Sequence, residues 1–94
     1  MNPKALVILA PRFEEIEAIT VIDILRRADI QVTTAGTVSG PINAARATRH
    51  LADSELDAVM DQIFDIVVLP GGGEGTANLK TDQRVRDIVA AQRS

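Results

Sequence analysis

The sequence predicts an α/β domain, a parallel sheet with helices packed on its faces. Three observations predict it. The runs Ala5–Ala10 and Asp65–Leu69 are strand-length, apolar and without alternation, and each stops at a proline. Such runs fit strands buried on both faces, which occur where helices cover both sides of a parallel sheet. Helix-period segments lie between the strand-like runs, and that order implies right-handed crossovers. Finally, a glycine loop follows the second apolar run, at the place where open α/β sheets hold ligands.

The elements follow in order. Ala5–Ala10 is the first strand, ended by Pro11. Residues 14–28 have a helical period and form about four turns. Ile30-Gln31-Val32-Thr33-Thr34-Ala35 is a β-branched strand closed by Gly36, and Gly40-Pro41 marks a turn. Residues 43–51 read as a short strand or hairpin arm. Ser54 is the expected N-cap of a short helix reaching about Met60, with Asp57 completing a capping box. Asp65–Leu69 is the next buried strand, followed by the loop Pro70-Gly71-Gly72-Gly73-Glu74-Gly75-Thr76-Ala77-Asn78. Thr81 caps a last helix from Asp82 to about Gln92, whose apolar stripe is Val85, Ile88 and Val89.

Composition narrows the function. Ninety-four residues make one small domain or part of one. A net charge of −3 disfavours nucleic-acid binding. No apolar run approaches the roughly 20 residues that span a bilayer. The start, Met1-Asn2-Pro3-Lys4, lacks a signal-peptide pattern, so a cytoplasmic location is expected. The chain has no cysteine, which excludes a disulfide framework, a cysteine zinc site and a thiol nucleophile within it. The last helix has no strand after it. In a doubly wound sheet that strand would lie beside the first and fourth runs. The expectation is therefore the N-terminal half of an enzyme-type fold spanning residues 1–94, completed by strands from elsewhere.

Two segments sit where such a sheet performs chemistry: residues 11–17 and residues 71–78. On a helical wheel with Glu14 at zero, Ala18, Val21, Leu25 and Ala28 fall between about 320° and 40°. Glu14 lies in that apolar arc, Glu17 beside it at about 300°, and Glu15 toward the polar side at about 100°. Carboxylates favour a helix N-terminus, and apolar walls raise a carboxyl pKa toward proton-transfer work. The structural alternative makes Glu14 and Glu17 exposed first-turn residues. Ile16 and Ile19 point away from the main stripe, toward a second subunit or simply toward solvent. Adjacent glycines allow main-chain N–H groups to face an anion or oxyanion, or make only a tight turn. The loop matches neither a Walker A sequence nor a dinucleotide fingerprint. Arg26-Arg27 suit a helix C-terminus, Arg46 and Arg49 suit a solvated surface or an anion, and the single histidine, His50, lacks a metal or triad partner.

Five segments in order carry a resemblance. They are Ala5–Pro11, Glu14-Glu15-Ile16-Glu17, Ile22-Asp23-Ile24-Leu25-Arg26-Arg27-Ala28, Val32-Thr33-Thr34-Ala35 and Val67-Val68-Leu69-Pro70-Gly71-Gly72. Together they resemble the DJ/ThiJ/PfpI superfamily, its DJ/YajL branch above all, from Lys4 to about Gln92. The resemblance implies a flavodoxin-like α/β/α sandwich of about twice this length, usually dimeric, with an elbow cysteine in the other half. It implies that Glu17 pairs with that cysteine and that Gly72 acts as oxyanion donor through its backbone. Gly71 and Glu14 would border the pocket, and Arg27 and Arg46 would line its anion side. Arg12-Phe13 departs from the small residues usual there and would narrow the pocket mouth.

The function implied is a cofactor- and metal-independent, cysteine-dependent glyoxalase-, deglycase- or stress-response-type protein acting on a small aldehyde. Peptidase and chaperone labels also occur in the family. This chain would supply Glu17 and the oxyanion wall, be inactive alone, and need a partner bearing the cysteine. The alternative is a non-catalytic binding or dimerisation module, or a fragment without independent activity.

Overall fold

A computed structural model describes residues 2–92. The main sheet contains β1 (Lys4–Leu9), β2 (Gln31–Gly36), β5 (Ser54–Glu55) and β6 (Ile66–Val68), in the order β5-β2-β1-β6. Every neighbouring pair is parallel, with Ala5 opposite both Val32 and Ile66. A two-stranded antiparallel hairpin, β3 (Ile42–Asn43) and β4 (Arg49–His50), lies apart from it, as the reading of residues 43–51 expects.

Three layers result. On one face α1 (Glu15–Arg27) and the hairpin cover the sheet, with Val7, Leu9, Phe13, Ala18, Ile42 and Ala44 at the centre. On the other, α2 (Leu56–Val59), α3 (Gly73–Lys80) and α4 (Gln83–Gln92) close over Leu6, Ile8, Ala10 and Ala35. β1 is buried from Ala5 to Leu9 because it is flanked on both edges and covered on both faces. Its unbroken apolar run is the sequence signature of that position.

The second apolar run departs from expectation. β6 is only half-buried and Leu69 is 40% exposed. β1 already has a neighbour on each side, so of the first and fourth runs only the fourth, β6, lies at a sheet edge. A groove of about 330 Å³ beside it is lined by Leu69, Pro70, Leu79, Val85 and Val89 among others.

Three helix boundaries also move. Ser54 pairs with Ala35 as part of β5, so Glu55 occupies the α2 N-cap, without a side-chain bond, and no capping box forms. Glu14 is not helical. It takes an extended backbone and caps α1 through its carboxylate, which accepts from the Ile16 N–H at 2.9 Å. The span read as a glycine loop becomes helical at Gly73, and Thr81 is the C-cap of α3, its hydroxyl donating to the Asn78 carbonyl. Asp82 takes the capping role, accepting from the Arg84 N–H at 3.0 Å.

α1 ends in a Schellman arrangement. The Ile30 N–H donates to the Leu25 carbonyl and the Asp29 N–H to the Arg26 carbonyl, with Asp29 left-handed at φ 62°. That turn delivers the chain into β2 and fixes α1 across the sheet, with its N-terminus at the carboxyl end of β1.

Candidate functional site

The site is built where β1 and β6 end. Beyond β1 the chain turns at Pro11-Arg12, and Arg12 adopts a left-handed backbone at φ 71°. Several contacts hold that turn. The Arg12 N–H donates to the Asn43 carbonyl at 2.7 Å, and the Asn78 amide donates to the Pro11 carbonyl at 2.7 Å. Gly75 lies so close beneath that a Cβ there would stand 2.8 Å from the Arg12 carbonyl oxygen. Beyond β6, the Glu14 N–H donates to the Gly71 carbonyl at 3.2 Å, joining the two loops directly.

Glu17 reaches from the first turn of α1 to the Gly71 N–H, with Oε1 at 3.3 Å. Gly71 must be glycine for this approach, since a Cβ would lie 2.6 Å from that oxygen. Gly72, at φ 100°, is the N-cap of α3, and its N–H has no acceptor among the described residues. A helix N-terminus with an unengaged N–H favours negative charge. Glu14, Arg46 and Gly72 line one cavity of about 300 Å³, together with Arg12, Ala45, Gly73 and Glu74.

The structure therefore brings Glu14, Gly71, Gly72, Glu17 and Arg46 to one end of the sheet. It does not bring Arg27 there. Arg27 pairs with Asp23 at 3.2 Å, ten residues beyond Glu17 and so about 15 Å farther along the helix axis. Arg12, which the sequence reading set at the pocket mouth, and Glu74, which it left unassigned within the glycine loop, line the cavity and are joined by an ion pair at 3.0 Å. The departure of Arg12-Phe13 from small residues was the signal for Arg12; nothing comparable marked Glu74.

The carboxylate assignment needs the largest correction. Glu17 is exposed and Glu14 half-exposed, whereas Glu15, placed by the wheel on the polar side, is 9% exposed. The wheel describes contact with the sheet, but the hairpin buries Glu15 from above. Its Oε2 accepts from the Arg46 N–H at 2.8 Å, the Thr48 hydroxyl at 2.7 Å and the Thr48 N–H at 3.4 Å. Burial pushes the Glu15 carboxyl up, but those bonds and its own backbone N–H outweigh it and hold it down at about 2. Oε1 is buried with no partner among the described residues. The Thr48 hydroxyl has one proton, given to Glu15, so His50 Nε2, 2.8 Å away, is the donor in its contact with Thr48. The His50 ring meets the edge of Phe13 at 5.2 Å between centroids. His50 thus belongs to the clamp between hairpin and helix. Among the described residues no cluster of His, Cys, Asp or Glu is arranged to hold a metal ion.

A parallel sheet bearing a carboxylate and a glycine-built donor wall at its strand ends defines an α/β fold of the flavodoxin-like class. Within that class the chain belongs to the DJ-1/PfpI family, whose sequence profile matches residues 3–94. It is 43% identical over 95 residues to protein dj-1beta of Drosophila melanogaster, covering all of this chain and 51% of that protein. The crystal structure of Drosophila DJ-1beta superposes with a TM-score of 0.95 at 42% identity, over 98% of this chain and 50% of that one. A DJ-1 superfamily protein of Salmonella typhimurium gives a TM-score of 0.93 at 42% identity, over 97% and 50% of the two chains. A Caenorhabditis elegans protein named glutathione-independent glyoxalase DJR-1.2 is 41% identical over 69 residues, 72% of this chain and 37% of that protein. The chain spans about half the length of the dj-1beta it matches. No described helix is long and apolar enough to cross a membrane.

Proposed function

We propose that this chain contributes the proton-relay carboxylate and the main-chain donor wall of a cysteine-dependent, glyoxalase-type conversion of a small 2-oxoaldehyde. The observation that carries the reading is Glu17 Oε1 held 3.3 Å from the Gly71 N–H, beside the unengaged N–H of Gly72. The glyoxalase name of the C. elegans relative supports the choice of reaction. The cysteine comes from residues outside this span, in the same or a second polypeptide. They would dock along the open edge of β6 and the groove of Leu69, Leu79 and Val89.

In this scheme the thiolate adds to the aldehyde carbon of methylglyoxal, and the new alkoxide is met by the Gly72 N–H and protonated by Glu17. Glu17 then carries the aldehyde-carbon proton to the neighbouring ketone carbon while the new hydroxyl proton passes to the ketone oxygen, so one carbon is oxidised as the other is reduced. Water cleaves the resulting thioester to give lactate and regenerate the thiol, with no external oxidant or reductant. Glu14 and Arg46 border the cavity, and no metal or cofactor takes part. Deglycase and stress-response roles would use the same thiol and the same carboxylate. The test is methylglyoxal turnover by the complete protein. Glu17→Gln should lower kcat at least a hundredfold with the fold intact, a loss within the range of general acid–base catalysis. Turnover equal to wild type in that variant refutes the reading.

A second reading rests on α1. Ile16 is 76% exposed and Ile19 48% exposed on the side away from the sheet. A chain acting as a binding or dimerisation module would use that face. It would keep partner binding and show no turnover.

A further inference from the structure

We infer that Arg12 is the specificity-determining residue of this site, and that the cavity takes a small carbonyl compound carrying a carboxylate. The inference goes beyond the methylglyoxal reading and concerns binding: a 2-oxo acid such as glyoxylate has no ketone carbon beside an aldehyde to receive its proton, so it is a ligand of this cavity and not a substrate of that reaction.

The Arg12 backbone is fixed while its side chain is free to change partner. A non-glycine residue at φ 71° persists only where its surroundings dictate it. Here the Asn43 carbonyl, the Asn78 amide on Pro11 and the close floor of Gly75 do so. Arg12 lines the 300 Å³ cavity, and its guanidinium is held by Glu74 through Nε alone at 3.0 Å. Both side chains are exposed, 45% and 71%, and an exposed pair of this kind contributes little to stability. A ligand carboxylate can therefore displace Glu74 and present both oxygens to the guanidinium fork, a stronger arrangement than a single bond.

Charge on the cavity wall sets the ligand class. Arg12 and Arg46 face Glu14 and Glu74, so the wall is balanced. Glu14 is engaged in capping α1, which leaves Glu74 as the carboxylate that can swing out. A monoanion taking its place preserves the balance, whereas a dianion such as a phosphate monoester adds repulsion. A carboxylate seated on Arg12 would leave its adjoining carbonyl facing the Gly72–Gly73 side of the same cavity.

The test is an amide-resolved NMR titration of the complete protein with glyoxylate, and with glycolaldehyde as the uncharged control of equal carbon number. Arg12→Gly suits the left-handed backbone and removes the guanidinium without strain. Glyoxylate should bind at Gly72 and Gly73, with its dissociation constant raised at least tenfold in Arg12→Gly and lowered severalfold in Glu74→Gln. Glycolaldehyde should be indifferent to both changes. Glyoxylate binding that is unchanged in Arg12→Gly, or weakened in Glu74→Gln, overturns the inference. The two proposals fail separately. Glu17-dependent turnover without Arg12-dependent binding removes only this one. Arg12-dependent binding with turnover indifferent to Glu17 removes only the catalytic reading.

Discussion

Gly73 and Gly75 lie two residues apart in the first turn of α3, and replacing each by alanine is the same chemical change. Their surroundings give it opposite signs. A Cβ at Gly73 meets nothing within 4 Å, and its φ is not left-handed. Alanine there gains helix propensity and reduces unfolded-chain entropy, stabilising by about 0.4–1 kcal/mol. A Cβ at Gly75 would sit 2.8 Å from both the Arg12 carbonyl oxygen and the Phe13 Cα, and 3.0 Å from the Phe13 nitrogen. These are backbone atoms of a turn already fixed by hydrogen bonds, so they cannot rotate away. Because that backbone cannot yield, the overpacking cost falls in the upper part of its usual range, about 2–3 kcal/mol, and exceeds the propensity gain of about 1 kcal/mol. Gly75→Ala should therefore destabilise by about 1–2 kcal/mol net. In a domain of this size that lowers the melting temperature by about 4–16 °C. Urea unfolding with a shared m-value is the assay, and the two midpoints should move in opposite directions. Equal shifts, or a Gly75→Ala midpoint at or above wild type, would refute the claim that α3 is seated against the Arg12–Phe13 backbone.

Other predictions follow from the same geometry. Gly71→Ala meets only the mobile end of Glu17, so it should keep stability within about 0.5 kcal/mol, as surface changes generally do, while turnover falls as far as in Glu17→Gln; a thermal melt beside a kinetic assay separates the two. Gly72→Ala forces a side chain onto φ 100°, and should cost about 1–3 kcal/mol in chemical unfolding. Glu15 is held at about 2, below its ordinary 4.5, so its carboxylate stabilises fully above pH 4.5 and loses that contribution as pH falls toward 2. Unfolding free energies of wild type and Glu15→Gln, measured across that window, should therefore differ most at neutral pH and converge near pH 2. Arg84 donates to Asp82, Asp57 and the Thr37 carbonyl, and its partner Asp82 is held below the usual carboxylate range chiefly by that bond. Arg84→Met should destabilise by about 1–3 kcal/mol, read by urea unfolding, because it strands a partly buried acceptor.

What the sequence made legible depended on how local its cause was. β1 could be read because burial on both faces leaves an unbroken apolar run, and the run lies within one segment. The acidic first turn and the paired glycines were likewise visible, and both reach the site. α3 was not visible. Gly73 and Gly75 lower intrinsic helicity by about 1 kcal/mol each relative to alanine, and what secures the helix is distant in sequence. Gly75 fits against Phe13, the Asn78 amide reaches Pro11, and Leu79 enters the core. A short helix carried by tertiary contacts leaves turn chemistry, not periodicity, in its sequence.

Glu15 and Glu17 make the same point about the site. Periodicity sorted the three acids by their angle to the sheet, which is sound for a helix with one partner. α1 has two partners at its N-terminus, because the hairpin folds back over it and donates the Arg46 and Thr48 N–H groups to Glu15. Those donors lie more than thirty residues away, so no helical wheel could contain them. The division of labour among the acids follows from that second partner. The carboxylate with three donors stays ionised and fixes the hairpin, and with it the Arg46 side of the cavity. Glu14 is spent on the helix cap. Glu17, an exposed residue, is left with one long bond to a glycine N–H, which is the condition the proposed proton carrier needs. An acid saturated with donors is too weak a base for that work, so burial would point to Glu15, whereas the count of committed hydrogen bonds favours Glu17 as the proposed proton carrier.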